Sequence, residues 1–273
     1  MTSYQTVDAT RKSYLPMSKF KARIPAAFIV KCLSVLAFIG LWYVATRYRW
    51  VSPIFLPSPL AVFQEARFLV QDGDLWRSVL ESSKRVFSGF ALAALVSIPL
   101  GILMATWWPA KAALDPFVSL LRPLPSITWI PLTILWLGIG EGQKTAIVFM
   151  GTWIYILIYT YESTKRVDPL LIMAARNLGA RRLAIMRVVL MAALPGIISG
   201  LKITLAIAWS CVITAEMIAA QVGLGAIIWR AKDGGNLGLV LVGMLGISIT
   251  VLIADFLADR LEKVLLPWER GRR

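Results

Sequence analysis

Among the ionisable side chains inside stretches otherwise apolar enough to cross a bilayer, Arg122, Lys202 and Glu216 are the candidates to line a path. A charge at the centre of a span costs roughly 2.5–3.5 kcal/mol on insertion scales, so it normally faces a cavity or a partner. Ser126 and Trp129 follow Arg122, and Trp209, Ser210 and Thr214 lead up to Glu216. Such a set offers passage, not bond-making. In that reading Arg122 attracts an anion, Glu216 holds a gate by pairing with a basic group, and Trp129 and Trp209 form an apolar constriction. Each residue also has a plainer reading. Arg122 and Lys202 snorkel to an interface, which is preferred for Lys202 because it lies close to one end of its span. Glu216 makes a structural salt bridge or hydrogen bond, which is preferred over substrate contact. The tryptophans simply pack.

Composition removes most other chemistry. The 273 residues are 58% hydrophobic, above the roughly 45–50% of soluble chains. Histidine is absent, which excludes a histidine base or triad. Cys32 and Cys211 both fall in apolar stretches, so neither a disulfide scaffold nor a zinc cluster is expected. No other metal or cofactor site is expected in the chain. The net charge of +14 invites a nucleic-acid reading. The basic residues, however, sit between bilayer-length segments, as topology determinants do. The glycine-rich turn Gly138-Ile139-Gly140-Glu141-Gly142-Gln143 lacks the Gly-Lys-Ser/Thr ending of a phosphate loop. The span acids Glu216 and Asp255 are far apart in sequence, so a paired-carboxylate enzyme site is not expected.

The elements that must position these residues are organised around Val167–Pro195. Asp168 is placed to cap a helix N-terminus, with Pro169 at the first helical position. Leu170, Leu171, Ala174, Ala175 and Leu178 follow at helical spacing, and Gly179 sits where a left-handed residue ends the helix. Ala180, Arg181, Arg182 and Arg187 then make the next segment basic. A short capped helix with small residues on one face, held between two spans, suits docking into a groove on another protein. The alternative is an interfacial helix lying on lipid headgroups.

In chain order, 1–25 is a basic tail and 26–46 a first transmembrane helix, read as an uncleaved anchor. Residues 47–77 form a connector, extended by Pro53, Pro57 and Pro59 and then helical over Leu60–Val70. A core transmembrane domain is expected over 78–260, including the loop 164–195, and 261–273 is a basic tail. Within the core, spans are predicted at Val86–Thr106, Phe117–Leu137, Thr145–Tyr161, Gly196–Ala220 and Leu237–Leu257, with Gln221–Asn236 as a return loop. The third span carries Pro123, Pro125 and Pro131, so it is expected to be kinked and to face protein or a pathway. With the N-terminus inside, 17 of the 29 Lys and Arg residues fall on the inner side, nine outside and three within spans. That bias places both termini and the 164–195 loop in the cytoplasm.

These residues resemble a known family. Ala174, Ala175 and Gly179 match the cytoplasmic Glu-Ala-Ala…Gly motif of bacterial ABC importer permeases, with Met173 in place of the glutamate. Leu194-Pro195 matches the Leu-Pro that closes the motif in the subgroup for taurine, alkanesulfonates, nitrate and similar small anions, while Met191 stands about where a first proline is expected. Ser52-Pro53 with Leu56-Pro57, Arg122-Pro123-Leu124-Pro125, Trp129-Ile130-Pro131, Leu137–Glu141, Ala215–Ala219 and Gly223-Leu224-Gly225 resemble subgroup positions, as does the closing Pro267-Trp268.

The resemblance implies an all-α polytopic membrane protein with about six transmembrane helices, in the type I ABC importer permease fold of the bacterial plasma membrane. It implies a homodimer with a central pathway, two copies of a cytoplasmic ATPase that bind the loop helices, and an extracytoplasmic or lipoprotein substrate-binding protein. ATP and magnesium would act in the partner, and this chain would be a transport subunit without enzymatic chemistry. Taurine or another sulfonate is the first substrate choice, with nitrate, bicarbonate, cyanate or an aromatic acid as alternatives. A self-sufficient secondary transporter or channel is a reading from another class, though no internal repeat supports it.

Overall fold

A stripe of small residues sets a close helix-to-helix packing. Gly89, Ala93, Ser97 and Gly101 recur every four residues on one helix and are all buried. A Cβ at Gly89 would meet the Thr145 carbonyl at 2.7 Å, and one at Gly101 would meet the Leu157 carbonyl at 2.8 Å. Two backbones therefore lie against each other over at least three turns. Such close approach suits a bilayer, where lipid tails remove the hydrophobic drive and van der Waals contact must do the work. The two helices are α3 (Asp74–Thr106) and α6 (Glu141–Lys165).

The structure, a computed structural model, describes residues Ile24–Glu269. The basic tail expected over 1–25 lies almost wholly outside the described residues, as does the end of the 261–273 tail. The remaining helices are α1 (Ile24–Arg47), α2 (Pro59–Asp72), α4 (Trp108–Leu121), α5 (Ile130–Leu137), α7 (Pro169–Asn177), α8 (Arg182–Ala219), α9 (Leu224–Asp233) and α10 (Leu237–Leu265). Among the described residues there are no strands. Among the described residues, five helices are long and apolar enough to cross a membrane, or six if the broken pair α4 and α5 counts as one span.

The chain divides into two units at Pro59. In the first, α1 is apolar and exposed over 28–41, with Trp42, Ala45 and Thr46 half-buried near its end. Beyond it Arg49 takes a left-handed turn, and the Trp42 indole N–H donates to the Pro57 carbonyl. In the second unit, α2 ends at the expected Asp-Gly-Asp turn, with Gly73 at φ 80°. A buried cluster of Val86, Ile147, Val148, Leu205, Ala208, Val212, Ala215 and Leu224 ties α3, α6, α8 and α9 together.

Three predicted elements come out differently. The third span is not one kinked helix over Phe117–Leu137. It begins earlier, at Trp108, breaks after Leu121, and resumes as a 3-10 turn (Ser126–Trp129) and α5, bent by 95°. Its prolines explain the break. Pro123 lies in the gap, Pro125 caps the 3-10 turn, and Pro131 sits in the first turn of α5, where a missing N–H costs nothing. The 164–195 loop is only half a loop, because its basic part, from Arg182, is already the start of the fifth span. That helix runs 38 residues through Pro195. Finally, Gln221–Asn236 is not an open return loop. Most of it is α9, with Leu224, Gly225, Ala226, Ile227 and Ala231 buried.

Candidate functional site

The short helix α7 is built by its ends. The Asp168 carboxylate accepts from the Leu170 N–H at 2.8 Å, and Pro169 opens the helix. At the other end the Ala180 N–H donates to the Ala175 carbonyl and the Gly179 N–H to the Arg176 carbonyl. This is a Schellman closure. Gly179 stands at φ +77°, with nothing within 4 Å of where its Cβ would be. Backbone angle, not space, requires glycine there.

Capping at both ends matters because nine residues are too few for helix propensity alone. Underneath, Val167 packs with Val189, Ala193 and Ile197 of α8, and Ile172 joins them. Above, Leu170, Leu171, Met173 and Leu178 are exposed, Leu178 by 88%. Ala174 is exposed and Ala175 half-buried; Arg176, Arg181 and Arg182 are exposed around them. Pro195 lies inside α8 and is half-buried. The result is a rigid apolar projection with a basic margin, carried between the C-terminal end of α6 and the N-terminal end of α8.

At the opposite ends of those two helices lies a buried charge cluster. Glu216, 1% exposed, is near the end of α8. Its carboxylate accepts from Arg85 Nη1 and Ser82 Oγ, each at 2.7 Å, and from the Gly225 N–H at 3.0 Å. Arg85, 4% exposed, also donates to the Val222 carbonyl at 2.7 Å. With Nε and Nη2 it grips Glu141 at 2.5 and 2.8 Å, and Lys144 donates to Glu141 at 2.8 Å. Two cations and two anions balance, and the forked guanidinium suits bidentate carboxylate pairing. Gly223 and Gly225 exist for this carboxylate. A Cβ on Gly223 would lie 2.4 Å from the Glu216 carboxyl carbon, and one on Gly225 would lie 2.9 Å from the Glu216 Cβ.

Three stretches that the sequence presented separately, Leu137–Glu141, Ala215–Ala219 and Gly223–Gly225, thus meet at one arginine. That arginine was missed, because Arg85 reads from sequence as a topology charge at the end of the connector. The signal that could have found it is the buried acid itself, which requires a cation.

The other predicted residues scatter. Trp209 is 2% exposed and packs in the core. The Ser210 and Thr214 hydroxyls donate to carbonyls one turn back on α8. Arg122 and Ser126 line a cavity at the break in the third span, and Trp129 is half-buried at the end of the 3-10 turn. Lys202 does not snorkel free. It pairs with Asp259 and, at 2.7 Å, with Glu262 of α10.

Comparison with solved structures gives the class. The chain is similar to an inward-facing structure of the MetNI methionine ABC transporter, at TM-score 0.64 and 25% identity, over 71% of this chain and 97% of that one. The fold is that of an ABC importer permease. Residues 97–270 match the pattern of the binding-protein-dependent transport system inner membrane component, and the chain belongs to that family.

It is 36% identical over 241 residues to a probable ABC transporter permease protein of Brucella abortus, covering 87% of this chain and 95% of that one. It is 31% identical over 236 residues to the taurine transport system permease protein of Escherichia coli, covering 84% and 86%. It is 28% identical over 225 residues to a nitrate import permease protein of Synechocystis, covering 79% and 82%. These relatives are transport components, and so is this chain.

Proposed function

We propose that two copies of this chain form the translocation pathway of an ATP-driven importer for a small anion, with taurine or another sulfonate as the first choice. One observation carries the reading: α7 is capped at both ends, anchored from below and apolar on top. A chain without a nucleotide-binding motif that holds such a projection ready has a use for it as the seat of a separate motor. In this reading α7 docks into a cytoplasmic ATPase that binds ATP and magnesium, both chain termini are cytoplasmic, and the protein lies in the bacterial plasma membrane. A binding protein delivers substrate on the opposite face, at the end where Arg85 joins α3, α6, α8 and α9. The net charge serves membrane topology, and lipid is the surrounding partner. The names of the E. coli and Synechocystis relatives support sulfonate first and nitrate second.

The test is co-expression with a neighbouring ATPase and secreted binding protein, co-purification, and uptake of labelled taurine and nitrate into vesicles. A stable complex that imports taurine only with ATP is the expected result. Uptake driven by an ion gradient without the ATPase would overturn it in favour of a secondary transporter.

A further inference from the structure

The break in the third span leaves a cavity of about 200 Å³ between α4, the 3-10 turn, α6 and α8, lined by Arg122, Ser126, Met150, Gly151, Tyr155 and Ile207 among others. We propose that this cavity is a subsite for a small anion, bound by its anionic headgroup to the Arg122 guanidinium with Ser126 and Tyr155 beside it. The inference rests on the importer reading for its purpose, but not for its test.

Charge is the first argument. Arg85, Lys144 and Lys202 each have a carboxylate within 2.8 Å. Arg122, exposed on this single chain, has none within ion-pair distance among the described residues, and no acid lines the cavity. An arginine beside partly apolar walls, with no internal counter-ion, favours an external one.

Shape is the second argument. The 95° bend holds the two halves of the span apart, and Gly151 keeps α6 from filling the gap. A Cβ there would lie 2.3 Å from Cys211 Sγ and 3.0 Å from Ser126 Cβ, so any larger residue would first displace the Cys211 side chain and would crowd the serine.

Size and lining then limit the ligand. At about 30 Å³ per water the space is worth roughly seven waters, below the range of about 300–1,000 Å³ for drug-sized ligands. Met150 and Ile207 suit a short apolar tail. A zwitterion's ammonium group finds no carboxylate here. The subsite therefore reads the sulfonate end alone, and methanesulfonate and taurine should bind within a few-fold of each other. Discrimination between them then belongs elsewhere in the transport system.

The experiment uses the full chain in phosphatidylcholine nanodiscs, without ATPase. A Ser126→Cys variant, with Cys32→Ser and Cys211→Ala removing the native thiols, is labelled with a maleimide. Methanesulfonate and taurine are expected to slow labelling several-fold; Arg122→Gln should abolish that protection and Arg122→Lys should keep part of it. In the otherwise unaltered chain, the fluorine resonance of trifluoromethanesulfonate should broaden, sharpen again with excess methanesulfonate, and stay sharp in Arg122→Gln. Failure of both anions to protect or broaden, or protection that survives Arg122→Gln, overturns the subsite. Protection that appears only when phosphatidylglycerol replaces phosphatidylcholine assigns the arginine to a lipid headgroup and also overturns it. If the ATPase complex forms and transports while these binding tests fail, the subsite falls and the importer reading stands.

Discussion

The two ends of α6 and α8 are held together by opposite means. At one end, α7 projects, and its shape depends on backbone caps: Asp168 at its start, Gly179 at its finish. At the other, Arg85, Lys144 and Glu216 are drawn inside, with exposed Glu141 at their edge, and their order depends on mutual neutralisation around Arg85. The difference teaches where each end is vulnerable. Damage to a cap changes the local surface and leaves the bundle. Damage to the charge cluster leaves an uncompensated ion in the core and threatens four helices together.

Substitutions at the two ends should therefore separate cleanly. The largest effect is expected from Glu216→Ala, which leaves buried Arg85 with only the exposed Glu141 as counter-ion. Breaking a buried pair from one side costs on the order of 3–5 kcal/mol, seen as a lowered thermal transition in detergent and loss of a monodisperse peak. The double variant Arg85→Met with Glu216→Leu should be less damaging than the single Glu216→Ala, because no ion is left alone. A double variant at least as unstable would show that the cluster is held by something other than charge balance.

Next is Gly179→Val, which forces a β-branched side chain to φ +77° at a local cost of about 1–2 kcal/mol. Its thermal transition should stay near that of the unaltered protein while co-purification of the ATPase is lost. If the transition falls as far as in Glu216→Ala, the contrast between the two ends is wrong. Ala175→Trp should act likewise by spoiling the packed side of α7, with the ATPase pull-down as the measure. The smallest effect is expected from Asp168→Ala, the loss of one cap at about 1 kcal/mol. It should weaken ATPase binding measurably without abolishing it.

Local chemistry was legible in the sequence, and pairing across the fold was not. Asp168, Pro169 and Gly179 announce α7 because caps act within a few residues, and the Asp72–Asp74 turn is plain for the same reason. The broken third span was only half legible. Its prolines declare that the helix is interrupted, but not that the interruption is a 95° turn with a new start at Ser126, since the bend is set by what packs on either side. The partner of Glu216 was hidden because Arg85 and Glu141 lie 131 and 75 residues away and belong to different helices. Lys202 was half legible for the same reason: its place near a span end fits snorkelling, and only the approach of α10 supplies the acids it pairs with. The burial of α9 was missed because Gly223-Leu224-Gly225 reads as a turn until the carboxylate it must fit around is known.

The continuity of α8 has one more consequence. A single helix begins three residues after Gly179 and carries the Glu216 carboxylate near its finish. At about 1.5 Å per residue it is roughly 57 Å long. Pivoting such a lever by about 5° at one end sweeps the other through about 5 Å, given that length. In the proposed importer, a push at α7 would therefore reach the Glu216 end through one helix, without any relay of side chains between.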